Sequence, residues 1–230
     1  MTRAYPEVSQ IAHTNLANAY RQAGRVDEAL REYDRVLAVT RPHAIPHEGK
    51  GMALLDKGLI DEAIVELKTA VGLNPRHAKG YRNLWVAYDK KGMADEALAA
   101  AQKAVELDPE FAEAYSGLGI SYGRKGRFED SERAFAKALS LEPGNPQYLA
   151  NLATTYQRAG KLDQAIELYR KTRALDPREP VYAINLGNTY LQKGMIGDAI
   201  AEFQQAVELQ PTNSVAHRKL AEAYERLGKR

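Results

Sequence analysis

Apolar residues along this chain return at two spacings, three and four residues within a segment and 34 between segments. The stretch NLATTYQRAGKLDQAI at 151–166 has near copies in NLANAYRQAGRVDEAL at 15–30 and NLGNTYLQKGMIGDAI at 185–200. Asn151 and Asn185 are 34 residues apart, and Asn15 precedes Asn151 by 136, four times that period. Counted from Gln10, repeats begin at Gln10, Ala44, Ala78, Ala112, Pro146, Pro180 and Ser214 with no insertion or deletion. Six full repeats therefore occupy 10–43, 44–77, 78–111, 112–145, 146–179 and 180–213, with a half repeat at 214–230 and a lead-in at 1–9. A short fixed period predicts stacked units, each burying its apolar face against its neighbours.

Within a repeat, position 7 is leucine (Leu16, Leu84, Leu118, Leu152, Leu186, Leu220) except at Lys50. Position 8 is small except at Trp85, and position 11 is tyrosine except at Leu54. These spacings place one buried stripe on a first helix. Position 15 is glycine from Gly24 to Gly228, suited to end that helix with a positive φ. A second helix follows, opened by an acid (Asp27, Asp61, Asp95, Glu129, Asp163) that suits the positive end of its dipole. Its inward residues are small at position 20, large at 24 (Tyr33, Leu67, Phe135, Tyr169, Phe203) and mostly alanine at 27. Ser131 at position 20, and Val36 and Thr172 at 27, read as local variation. Pro75, Pro109, Pro143, Pro177 and Pro211 stop the second helix at position 32, while the first repeat moves its proline to Pro42.

This pattern of leucine, small residue and tyrosine, then alanine, aromatic and alanine, then proline on a period of 34 resembles the tetratricopeptide repeat family, over residues 10–230. The resemblance implies an all-α solenoid, a right-handed superhelix of helix–turn–helix hairpins whose first helices line a concave groove. It implies a non-enzymatic scaffold that binds an extended peptide or a partner helix there. In the third repeat Trp85 replaces a small residue and Ala101 replaces the aromatic of position 24, which reads as a volume exchange of the kind cores tolerate, the alternative being an indole partly exposed as a binding platform.

Positions 2, 6, 9 and 13 form a second stripe on the first helix, and the resemblance implies that it faces the groove with its neighbours at 5 and 12. Position 6 is Asn15, Gly49, Asn83, Gly117, Asn151, Asn185 and Lys219, and position 9 adds Asn18 and Asn188. Asparagine is a mediocre helix former, so its recurrence at one structural position calls for a reason. A primary amide both donates and accepts, and can bridge the backbone of an extended peptide whatever its side chains. In that respect the row is similar to the asparagine ladder of O-linked N-acetylglucosamine transferases. The competing reading has these amides bonding to neighbouring helices or to solvent. Gly49 and Gly117 interrupt the row, although glycine would also admit a ligand backbone.

Charge refines the picture. Lys plus Arg is 32 against 30 Asp plus Glu, a near balance that gives no reason to expect nucleic acid as a partner. On the stripe, however, Lys79, Arg82, Lys90, Arg124 and Arg158 face only Asp89 and Glu113, whereas the second repeat offers Glu48 and Asp56. That surplus predicts preference for an acidic segment or a terminal carboxylate. The carboxylate clamp of chaperone-binding members is not matched: where Asn18 is present, Thr14 holds position 5 and Gly49 follows. His13 and His47 share position 4 of stacked repeats near His43, but no carboxylate partner is fixed by spacing, and no metal or other cofactor is expected. The glycines of GLGISYG at 117–123 follow no strand and form no phosphate loop.

The absence of cysteine fits a reducing or an oxidising compartment equally; with no apolar run of the ~20 residues a membrane helix needs and no signal-peptide pattern in MTRAYPEVSQ, a soluble chain is expected, with the compartment open and leaning to cytoplasmic. The final helix, with Leu220, Ala221 and Tyr224 inward, reads either as a cap or as the cut end of a longer protein. Self-assembly through the solenoid ends or the convex face is the alternative function, and RNA binding by helical repeats is a third.

Overall fold

The computed structural model describes residues 6–39 and 43–228; the lead-in residues 1–5 and Pro42 lie outside them. Its helices fall into two compact bodies, residues up to Gly117 and from Leu118 onward. The N-terminal body holds α1 (Pro6–Gln22), α2 (Val26–Val39), α3 (Ala44–Lys57), α4 (Ile60–Leu73), α5 (Ala78–Lys91) and α6 (Ala94–Leu107). The division falls within α7 (Ala112–Arg124). The C-terminal body continues with α8 (Phe128–Leu141), α9 (Pro146–Arg158), α10 (Leu162–Leu175), α11 (Pro180–Lys193), α12 (Ile196–Leu209) and α13 (Ser214–Gly228). No strand occurs among the described residues. Within each body, odd- and even-numbered helices pair as hairpins, and each hairpin packs on the next, as α2 on α3, α4 on α5 and α10 on α11.

The hairpins close because a small residue at position 8 meets the bulky one at position 24. A Cβ added to Gly51 would come within 2.7 Å of Leu67, one on Gly119 within 2.8 Å of Phe135, and one on Gly187 within 2.6 Å of Phe203. Leu67, Phe135, Tyr169, Phe203 and Tyr33 are among the largest fully buried side chains. Ser131 is more than variation: its buried hydroxyl donates to the Gly119 carbonyl at 2.7 Å and pairs with Thr155 at 2.9 Å.

The glycines at position 6 have an internal cause. The Cβ that Gly49 lacks would lie 2.5 Å from the Tyr33 hydroxyl, and that of Gly117 would lie 2.9 Å from the Trp85 ring. Both glycines are therefore slots for an aromatic of the preceding repeat, which corrects their reading as openings for a ligand backbone. Trp85 itself is partly buried, with its ring against Gly117.

Helix ends follow the glycine pattern. Gly58 has φ 84°, and its N–H and that of Leu59 bond back to Leu55 and Leu54 at 3.1 and 2.9 Å, closing α3. Position 15 has a positive φ from Gly24 to Gly194, whereas Gly228 is still helical.

Two expectations of burial fail. Leu16 is 40% exposed although Leu84, Leu118, Leu152 and Leu186 at position 7 of later repeats are buried. In α13 the buried residues are Ala216 and Ala223, while Ala221 is exposed and Tyr224 is 47% exposed; among the described residues only α12 and α11 pack on this helix.

Two glycine substitutions separate packing from propensity. Gly49→Ala forces a methyl against a fully buried tyrosine and is expected to destabilise by about 1–3 kcal/mol. Gly72→Ala, where a Cβ meets nothing within 4 Å inside α4, is expected to stabilise by about 0.5–1 kcal/mol. Urea unfolding of the two variants checks both signs.

Candidate functional site

The first helices of the N-terminal body, α1, α3 and α5, line a pocket of about 360 Å³ whose walls include Asn18, Arg21, Glu48, Met52, His77, Lys79, Arg82 and Asn83. Most of the polar groups here are oriented by a neighbour. The buried Tyr33 hydroxyl donates to Asn18 Oδ1 at 2.6 Å, which leaves the Asn18 amide N–H groups free of that contact. Asn83 is only 2% exposed; its Nδ2 donates to Glu48 Oε1 at 2.8 Å and its Oδ1 accepts from Arg82 at 3.1 Å. Glu48 Oε2 lies 3.0 Å from His77 Nε2. Arg21 donates to Asp56 at 3.0 Å and carries a buried Nε with no partner. Lys79 is exposed, and Asn15, on α1, is exposed as well. The amides at position 6 are thus not equivalent: Asn15 faces solvent, whereas Asn83 is committed to an internal network.

Position 9 obeys a rule set by position 24. Asn18 faces Tyr33, and Thr154 pairs with the Tyr169 hydroxyl at 2.7 Å, while burial pushes Tyr169 up to about 12. Where position 24 lacks a hydroxyl, position 9 is apolar: Met52 with Leu67, Val86 with Ala101, Ile120 with Phe135. Asn188 breaks the rule, since its counterpart is Phe203.

On the C-terminal body, Asn151, Asn185 and Asn188 are all half-buried. Asn151 Oδ1 accepts from Gln147 at 3.3 Å, whereas the Asn185 and Asn188 side chains have no hydrogen-bond partner among the described residues. Arg158 is exposed, with its guanidinium 6.0 Å from the centre of the Phe128 ring, and Arg124 is exposed at the end of α7. The ten residues expected to face a ligand therefore fall five on each body.

The histidines have carboxylate partners that the repeat does fix, 19 residues downstream at position 23: His13 Nδ1 lies 2.7 Å from Glu32 and His47 Nδ1 lies 2.6 Å from Glu66. Each is a pair within one hairpin, and among the described residues no group of three potential ligands forms a metal site. Lys50, in place of the usual leucine, reaches Glu66 at 2.7 Å and Asp34 at 2.8 Å. The acids that open second helices also tie repeats together, through Lys57 to Asp27, Lys91 to Asp61 and Lys193 to Asp163.

Family models described as tetratricopeptide or TPR repeats match residues 14–78, 110–178, 87–126 and 187–228. The chain belongs to the tetratricopeptide repeat family. No curated protein matches it. Among solved structures it is similar to the APC/C heterotetramer Cut9–Hcn1 (TM-score 0.81, 20% identity), covering 93% of this chain but only 42% of that one. It is also similar to MamA (TM-score 0.62, 27% identity, 70% and 95% covered) and to YrrB, a TPR protein with an unusual peptide-binding site (0.59, 20%, 81% and 96%). Tetratricopeptide proteins are in general non-catalytic protein-interaction scaffolds. Among the described residues no helix is long and apolar enough to cross a membrane.

The Lys50 network sets a pH dependence. Burial raises the Glu66 carboxyl, but Lys50 and His47 outweigh it and hold the group below its usual 4.5. Burial lowers Lys50, and Asp34 and Glu66 outweigh it and hold the amine above its usual 10.5. The Glu66 contribution is present above its unfolded-state value and lost as pH falls through the lower folded one. That of Lys50 is present below its unfolded-state value and lost as pH rises through the higher folded one. Lys50→Met is expected to lower the melting temperature most between about pH 5 and pH 10, with the deficit shrinking toward about pH 3. Thermal melts of the two proteins across pH check this.

Proposed function

We propose that this tetratricopeptide scaffold binds extended peptide on the faces of its first helices, each body offering its own site: side-chain amides on the C-terminal body and a donor-rich pocket on the N-terminal body. The observation that carries the reading is the pair Asn185 and Asn188. They sit one turn apart on α11, where an asparagine costs about 0.5–0.7 kcal/mol of helix propensity relative to alanine, and neither has an internal partner to offset it. Asn188 in particular occupies a position that is apolar in the other three repeats whose facing residue lacks a hydroxyl. Amides three residues apart on a helix face can donate to and accept from a peptide backbone without regard to its side chains.

On the N-terminal body Asn18, Lys79 and Arg82 offer donors to the pocket, so the ligand groups that suit it are carbonyls and carboxylates, and an acidic segment or a C-terminus is the preferred class. A peptide-binding site is also what the name of the YrrB structure states of that protein, whose fold this chain shares.

The test is a selection of random peptides against the full chain, repeated with Asn185→Ala/Asn188→Ala. Enrichment is expected to fall by at least about tenfold, while stability is unchanged or rises, because alanine is the better helix former. Undiminished enrichment, or a marked loss of stability, would show that these amides serve the fold.

A further inference from the structure

Glu48 is the anomaly of the N-terminal pocket. It is a carboxylate with 13% of its side chain exposed, placed among Arg21, His77, Lys79, Arg82 and the Asn83 amide. Its two oxygens are divided between two of those groups, Oε1 accepting from Asn83 at 2.8 Å and Oε2 lying 3.0 Å from His77. Arg82, held on the other end of the Asn83 amide, completes a chain from the carboxylate to the guanidinium. Within this chain, then, a carboxylate already sits where the donors converge. Resting on the acidic-ligand reading above, we infer that Glu48 is an internal competitor that fills the place of a ligand carboxylate and determines which acidic segments the N-terminal body accepts.

The physical argument is one of occupancy and charge. An incoming carboxylate finds Asn83 and His77 already engaged. It meets a like charge a few ångströms away, in a pocket where such repulsion is poorly screened. Only a ligand that also engages the peripheral donors, the exposed Lys79 and the Asn18 amide, recovers enough to bind. The pocket therefore discriminates against a lone carboxylate and favours a segment carrying several acceptors. Glu48 is a specificity-determining residue through the groups it holds.

The experiment uses the full chain and a fluorescein-labelled hexaglutamate peptide with an amidated C-terminus, read by fluorescence polarisation. Glu48→Gln keeps the length of the side chain and one acceptor oxygen and removes its charge. It is expected to tighten binding about tenfold, as the loss of one nearby like charge predicts. Glu48→Ala, which frees Asn83 and His77 outright, is expected to gain at least as much. Glu62→Gln, the same charge change on the exposed face of α4, is expected to change affinity by less than about twofold. Adding Lys79→Ala to Glu48→Gln is expected to remove the gain.

If the native chain binds the peptide and both Glu48 variants match it within about twofold, the competitor role is wrong while the acidic-ligand reading stands. An equal gain from Glu62→Gln would make the effect one of net charge and overturn the inference. If neither the native chain nor the variants bind, the acidic-ligand reading fails for this body and the inference falls with it. Preferential binding of a hexalysine probe that Glu48→Gln abolishes would make Glu48 a ligand contact for cations and equally overturn it.

Discussion

The close approach of the two helices in each hairpin governs the rest of this structure. At Gly51, Gly119 and Gly187 of position 8 the ring or leucine of position 24 lies against the first helix with no room for a methyl group. Interiors this dense tolerate little change in volume, so the crossing fixes the rotation of both helices. Once that rotation is set, positions 7, 8 and 11 face inward and positions 2, 6, 9 and 13 share another face. The proposed binding surface is thus a by-product of the packing: the side chains it displays are those the crossing does not use.

The same constraint sorts polar from apolar residues on that face. A tyrosine hydroxyl at position 24 brings a buried polar group that needs a partner, and Asn18 and Thr154 supply it. A leucine, alanine or phenylalanine there needs none, and the facing residue is apolar in three of four such repeats. Asn188 remains as an amide with no hydrogen-bond partner among the described residues. The two bodies consequently offer different chemistry. One presents a charged network centred on Glu48, His77, Arg82 and Asn83, and the other presents neutral amides at Asn151, Asn185 and Asn188.

Hairpins, turn glycines and helix order were legible in the sequence because they depend on residues within one repeat, and the period of 34 repeats them in register. Contacts between repeats were harder to read. The glycine slots at Gly49 and Gly117 answer to Tyr33 and Trp85, each one repeat earlier, so their cause is invisible at position 6 itself. Lys50 appeared as an unexplained exception until α2 and α4 were seen to bring Asp34 and Glu66 to it. The position 23 glutamates facing His13 and His47 lie at a constant 19-residue offset, a signal of pairing across one hairpin and not of metal ligation. Of the amide row, spacing identified the positions but not the commitments: Asn83 and Asn18 are engaged internally, and Asn185 and Asn188 are not.

The most direct measurement is a side-chain amide NMR spectrum of the labelled chain, with and without a peptide recovered by selection. The account predicts that Asn185 and Asn188 shift with saturation, accompanied by residues on the first helices of the body the peptide occupies. Shifts confined to the second helices, with both asparagine amides unmoved at saturation, would contradict it.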